Sequence, residues 1–409
     1  MSLSKQDGTL KGFGMSGTRF NPVFSGLPTT IFTVMSSLAV EHKAINLGQG
    51  FPDEDGPLAI REAAAAALRE GPNQYPPTRG LPALREAIAA HAKRFYGFDF
   101  DPERNVLVTS GGTEALTASI LALAGEGGEV VLFEPAYDSY RPIALAAGAP
   151  VRSVKLAPPG WRLEEQALAE AITPKTRIVM LNTPLNPIGR VFDGNELAMM
   201  ARVLARSEAV AICDEVYEHL VFDGRAHLPL IGFPGMEERV IRVGSAGKMF
   251  SLTGWKVGWV TGAVPLIDVI AKAHQFITFT TPPALQRGTA YALSNEMDFT
   301  LGLTRTLQDN RDLLADRLAR MGFDVLPCEG TYFLTAGIGA LTNERDDDFC
   351  RRLVREAGVA LIPLSAFFET GEPSHLVRFA FCKKRGLLEE ALDRLERFFC
   401  RTGARLMGT

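Results

Sequence analysis

What the chain has little of narrows its function first. Its 409 residues hold five cysteines, Cys213, Cys328, Cys350, Cys382 and Cys400, an odd and scattered set without a C-x-x-C pair. That spacing argues against a disulfide framework and a zinc knuckle and fits a reducing compartment, so a cytoplasmic location is expected and a metal centre is not. A basic excess is missing too. The 43 Lys and Arg against 47 Asp and Glu leave a formal charge of −4, with no basic surface for a nucleic-acid backbone. No window approaches the ~18 apolar residues of a membrane span, and the opening MSLSKQDGTLKGFGMSGTRF lacks the apolar core of a signal peptide. There is no internal repeat, and the alanines of REAAAAALRE are explained by helix propensity.

What is there is an ordinary globular composition, 46% hydrophobic and 22% charged, in a chain long enough for about two domains. From Leu58 to about Pro265, helical patterns alternate with short apolar runs. This predicts an α/β fold with a mostly parallel, seven-stranded sheet flanked by helices on both faces. The strand candidates are Asn105–Ser110, Val130–Phe133, Val151–Leu156, Arg177–Asn182, Val210–Asp214, Val240–Gly244 and Trp255–Thr261. The first six fit strands buried on both faces. A helix over Leu58–Glu70 should end at Gly71. After Pro282 the pattern changes to long helices through Met321 and then mixed segments, which suggests a second, smaller α+β domain.

In open parallel sheets ligands gather beyond the carboxyl ends of the strands, so the residues just after each apolar run are the informative ones. They read SGGTEA after NVLVTS, NTPLNPIG after RIVM, DEVYEH after VAIC, and SAGKMFSLTGWKVGW after VIRVG. Lys248 sits among Ser245, Ala246 and Gly247, small enough to let it meet a planar ring. A lysine alone defaults to the surface. To attack an aldehyde its amine must be neutral, and burial near a cation lowers its ordinary pKa of ~10.4. Asp214 puts a carboxylate at the sheet mouth, although Asp-Glu after an apolar run also occurs as a helix N-cap or a magnesium ligand in nucleotide hydrolases. Gly111, Gly112 and Thr113 open a helix whose N-terminus suits a phosphate, but any tight strand-to-helix turn uses glycine.

Taken together, in this order and spacing, the four segments resemble the class I/II aminotransferases, fold type I enzymes that use pyridoxal 5'-phosphate. INLGQGFPDEDGP at Ile45–Pro57 and VRFAFCK at Val377–Lys383 extend the likeness over nearly the whole chain, toward the kynurenine, glutamine and methionine branch. The change of pattern and the resemblance together divide the chain into three expected parts: residues 1–57 as an N-terminal arm and part of the small domain, 58–300 as the large cofactor-binding domain, and 301–409 as the C-terminal small domain. A boundary near residue 300 would fall within a long helix.

The resemblance also implies roles. Lys248 would hold the cofactor as an imine and later shuttle the α-proton. Asp214 would keep the pyridine nitrogen protonated; at ~4 Å and an effective dielectric of ~20 such a pair gains ~4 kcal/mol, about three pKa units before desolvation. Tyr217 and Asn186 would bond the ring's phenolate oxygen, with Tyr137 on the ring face. Gly111, Gly112, Thr113, Ser245 and Lys256 would cradle the phosphate, Lys256 replacing the commoner arginine and losing its two-pronged geometry. Arg378 would grip the substrate carboxylate bidentately, Gly50 would let the backbone approach that carboxylate, and Tyr75 would reach the phosphate of a neighbouring subunit in a homodimer with shared sites.

Rival readings fail on particular residues. A P-loop built on GSAGK would need Gly at Arg242 and Ser or Thr at Met249, and LGQGFP and AGEGGEV lack the glycine spacing of a dinucleotide fold. A regulator with an aminotransferase-like sensor would need a DNA-binding domain, and no basic helix-turn-helix pattern precedes Ile45. A carbon–sulfur β-lyase of the same fold stays open, because it uses the same lysine. The expected reaction passes an amino group from an amino acid to a 2-oxo acid. No second, side-chain-reading arginine stands out, and Thr280 lies where related enzymes often have histidine. A neutral aromatic or sulfur-containing donor is therefore expected, with N-succinyldiaminopimelate as the alternative.

Overall fold

A computed structural model of the chain describes residues 20–402. Residues 1–19, which belong to the expected N-terminal part, lie outside the described residues, as do 403–409.

Seven strands form the large sheet: β1 (Val106–Thr109), β2 (Glu129–Glu134), β3 (Val151–Lys155), β4 (Thr176–Asn182), β5 (Val210–Asp214), β6 (Val240–Ser245) and β7 (Gly258–Gly262). Their order across the sheet is β1-β7-β6-β5-β4-β2-β3. The β3/β2, β2/β4, β4/β5 and β5/β6 pairs are parallel, while β7 runs antiparallel to both β6 and β1. Strand side chains alternate between faces. Val130, Leu132, Ile178, Met180 and Ile212 meet the Gly112–Leu123 and Val264–Ile277 helices, while Val131, Phe133, Val179, Leu181 and Cys213 meet the Gly194–Leu204 helix. Both faces are thus covered, as a parallel sheet requires.

Two strand expectations need correction. β3, at one edge of the sheet, is not buried on both faces: only Val154 is fully buried in it, and Arg152 and Lys155 are exposed. The last strand begins at Gly258 rather than Trp255, since Thr253–Trp255 forms a 3-10 turn capped by left-handed Lys256 at φ +54°. The Leu58–Glu70 helix ends at Gly71, whose φ is +70°.

A four-stranded antiparallel sheet follows in the chain, built from β8 (Asp324–Val325), β9 (Phe333–Gly337), β10 (Ile362–Pro363) and β11 (Leu376–Ala380) in the order β10-β11-β9-β8. Residues Ile45–Asn46 pair in parallel with Val359–Ala360, so segments from both ends of the chain pair with each other. Arg378 lies opposite Thr335 on one side and Ile362 on the other.

Candidate active site

The parallel strands β4, β5 and β6 end at one edge of the large sheet, at Asn182, Asp214 and Ser245. Because β7 runs the other way, its start at Gly258 pairs with Ser245 and Thr109, and Lys256, just before it, arrives at the same edge. One antiparallel strand thereby places a cation where parallel strands end.

Lys248 sits on a one-turn helix, Ala246–Met249, capped by Ser245, whose hydroxyl accepts from the Gly247 N–H at 3.3 Å. Its Nζ donates to the Tyr332 hydroxyl at 2.9 Å. Burial lowers the amine to about 8, with Lys256 and Arg378 pushing the same way and Cys382 and Asp214 opposing. Such an amine is substantially neutral near pH 8, the state a nucleophile or base requires.

Asp214 is buried. Its carboxylate accepts from the Tyr140 hydroxyl at 2.6 Å and the Val216 N–H at 3.4 Å. Burial pushes its pKa up, and the Tyr140 bond opposes that. Among the described residues no cation stands within ion-pair distance of it. Asn182, one strand over, donates to the Asp214 carbonyl at 2.9 Å and accepts from the Asn186 N–H at 2.8 Å, which fixes the NTPLNP loop to the end of β5.

The Gly112–Leu123 helix has no side-chain cap, so its first N–H groups lack intrahelical partners. Gly111 precedes it at φ +83°, and a Cβ there would meet the Lys256 Cε at 3.2 Å. The Lys256 side chain therefore lies across the helix N-terminus. Behind the first turn, Glu114 accepts from the Ser110 N–H at 3.0 Å and meets buried His274 at 3.0 Å.

Arg378 is buried, with its guanidinium 3.9 Å from the Phe333 ring centre. It donates to Asn186 Oδ1 at 3.0 Å and to the Gly48 carbonyl at 2.7 Å, and its Nε has no partner. A Cβ on Gly50 would come within 2.3 Å of the Phe333 ring. Glycine is thus required there by a packed ring, a reason distinct from the expected approach to a carboxylate.

These side chains share one cavity of about 480 Å³. Of the residues singled out from the sequence, Gly50, Gly111, Gly112, Thr113, Tyr137 and Asn186 line it, together with Asp214, Tyr217, Ser245, Lys248, Lys256 and Arg378. Tyr75 does not: it is 82% exposed, edge-on to Phe279 at 5.2 Å. Thr280 also lies outside. Sequence reasoning missed Tyr140, Asn182 and Tyr332. Tyr140 stands three residues after Tyr137, within reach of a helical-spacing argument, whereas Tyr332 joins the site only through tertiary structure.

A buried ionic cluster backs the site. Arg242 on β6 bonds Glu215 at 2.6 Å and Glu218 at 2.9 Å. His91, Glu218 and His219 bring ligand-type atoms within 4.8 Å of one another, but Glu218 is already partnered by Arg242.

The donor set fits a phosphorylated pyridine aldehyde. An unpaired buried carboxylate suits a protonated ring nitrogen, an uncapped helix end beside a lysine suits the phosphate, and a lysine of lowered pKa suits the aldehyde. Fold and site together define a pyridoxal-phosphate-dependent transaminase. The chain belongs to the aminotransferase class I and II family, whose model matches residues 42–395, and that family uses pyridoxal 5'-phosphate with amino acid and 2-oxo acid substrates. It is 47% identical over 378 residues to a probable N-succinyldiaminopimelate aminotransferase of Mycobacterium tuberculosis, covering 90% of this chain and 95% of that one. To a methionine aminotransferase of Escherichia coli it is 42% identical over 369 residues, covering 90% and 96%. The solved structure of the N-succinyldiaminopimelate aminotransferase from Mycobacterium tuberculosis superposes with a TM-score of 0.91 at 45% identity, over 93% of this chain and all of that one. Among the described residues no helix is long and apolar enough to cross a membrane.

Proposed function

We propose that this aminotransferase works through Lys248 and takes a neutral aromatic or sulfur-containing amino acid as donor. The observation that carries the assignment of residues is that Lys248, Asp214 and Arg378 open onto one cavity. When bound there, the cofactor supplies an aldehyde that bonds amines and a ring that accepts the electrons freed at the donor's α-carbon.

The chain's own residues supply the rest. Lys248 holds the cofactor at rest and, once displaced by the donor amine, takes the α-proton as a neutral base. Asp214 keeps the ring nitrogen protonated. Tyr217 and Asn186 would hold the ring oxygen, and Tyr137 would pack against the ring. The N–H groups at Gly112 and Thr113, with Gly111, Ser245 and Lys256, hold the phosphate. Arg378 would take the substrate carboxylate by exchanging its present acceptors, Asn186 Oδ1 and the Gly48 carbonyl, beside the Gly50 backbone. With the cofactor bound, the site would convert the donor to its 2-oxo acid and pass the amino group to a second 2-oxo acid. Exposed Tyr75 supports a homodimer in which it reaches the partner's phosphate, and the scattered thiols support a cytoplasmic location.

The choice of donor rests on charge. The cavity's cations among the described residues are Lys248, Lys256 and Arg378, each with a task already, while Phe32 and Phe51 give its wall apolar surface. A second reading, N-succinyldiaminopimelate as donor, draws on the 47% identity to the mycobacterial relative. A panel of donors in single half-reactions, followed by cofactor absorbance, separates them: methionine or aromatic donors should react faster than the succinylated one. Pyruvate and ammonia released without any 2-oxo acceptor would instead mark a β-lyase.

A further inference from the structure

We infer that Tyr332 is a positioning residue for the free Lys248 amine, fixing its orientation through one N–H whenever it is not bonded to the cofactor. The inference rests on the reading of Lys248 given above and extends it to a residue outside the expected set.

The direction of the hydrogen bonds carries the argument. The Tyr332 hydroxyl lies 2.6 Å from the Gly50 carbonyl and 2.9 Å from Lys248 Nζ. A carbonyl oxygen only accepts, so the single phenolic hydrogen belongs to Gly50. Toward Lys248 the phenol can then only accept. A neutral amine bonded in this way donates one N–H and keeps its lone pair free. That is the form needed to take a proton from carbon.

Both partners of the phenol are fixed. The backbone around Tyr332 is held by left-handed Thr331 at φ +67°, whose N–H donates to the Leu220 carbonyl at 2.8 Å and whose hydroxyl accepts from the Phe333 N–H at 3.0 Å. The Gly50 segment is tied down by Lys383, which donates to the Phe51 carbonyl at 2.9 Å and meets Asp53 at 3.3 Å. Gly50 also lines the substrate cavity. The phenol thus links the backbone beside the substrate site to the orientation of the base. Lys248 and Tyr332 further share the wall of a second cavity of about 40 Å³, enough for a water or two. Without the phenol, the amine would lean toward that space.

The test is Tyr332→Phe, read in three ways. In the cofactor-free protein, the pH dependence of Lys248 labelling by ¹³C-formaldehyde with cyanoborohydride, read by peptide mass spectrometry, gives the titration of the amine. An acceptor favours the ammonium over the amine, so its loss should lower the Lys248 midpoint by roughly half a unit or more. In the holoenzyme kcat should fall about tenfold to a hundredfold with KM little changed. The kinetic isotope effect with α-deuterated donor should rise, because proton transfer becomes the slower step; a purely structural role moves neither the titration nor the isotope effect. An unchanged midpoint and isotope effect overturn the inference. Should the variant not fold, 3-fluorotyrosine at position 332, a weaker acceptor of nearly the same shape, must shift the midpoint in the same direction, and no shift overturns the inference. Lys248→Ala keeps the two claims apart: turnover retained in that variant would sink the reading of Lys248 itself.

Discussion

The Tyr140 hydroxyl donates to the buried Asp214 carboxylate at 2.6 Å, at the point where β5 leaves the sheet. A phenol on a short helix thus stands beside a buried carboxylate that faces the cavity and, among the described residues, has no cation within ion-pair distance. Removing it as Tyr140→Phe leaves Asp214 with only the long Val216 bond, so the cofactor-free protein should lose about 1.5–3 kcal/mol. The holoenzyme should lose less, since the ring nitrogen supplies a second donor. Denaturant titrations of both forms check this, and equal losses would argue that Asp214 does not face the ring.

Lys256 lies across the uncapped helix end, beside Gly111. Lys256→Met should weaken cofactor binding about 10- to 100-fold, the worth of one charge-assisted bond. Lys256→Arg should retain most of the affinity. Equilibrium dialysis of the cofactor reads both, and an unchanged dissociation constant in the methionine variant would remove Lys256 from the phosphate site.

Gly50→Ala sets a Cβ 2.3 Å from the Phe333 ring. Overpacking of this kind costs about 1–3 kcal/mol, and because Phe333 also lies under Arg378, the donor KM should rise. Chemical denaturation and initial-rate kinetics measure the two effects separately.

Arg242 holds two buried carboxylates, Glu215 and Glu218. Arg242→Met leaves both without their guanidinium partner and should cost about 3–5 kcal/mol or more. This is a stability effect, visible in the denaturation midpoint of the cofactor-free protein.

Much of this was legible in the chain. Most of the large-sheet segments are short, near-continuous apolar runs, and the residues that follow them carry the chemistry, so Lys248, Asp214 and Ser245 could be singled out once their motifs were taken together. The exposure of β3 was legible in its own residues, since Arg152, Ser153 and Lys155 around Val154 do not suit a strand buried on both faces. Tyr332 was hidden: it reaches Lys248 across 84 residues through a left-handed turn that no periodicity announces. Gly50 was singled out, but its packing reason, the Phe333 ring, is a tertiary contact from the far end of the chain.

The amine of Lys248, lowered to about 8 by burial, also fixes a pH dependence. Reaction of the cofactor-free protein with pyridoxal phosphate requires the neutral amine, so the rate should climb as pH rises toward 8 and level off above it. A rate still climbing tenfold per unit at pH 10 would mean a solvated, ordinary lysine.

The central claim is that Lys248 carries the cofactor, and borohydride reduction of the holoenzyme followed by peptide mass spectrometry tests it most directly. The predicted result is a single phosphopyridoxyl mass increment on Lys248 in the peptide containing SAGKMF, with none in Lys248→Ala. The increment on Lys256 or any other lysine, with Lys248 unmodified, would contradict the account.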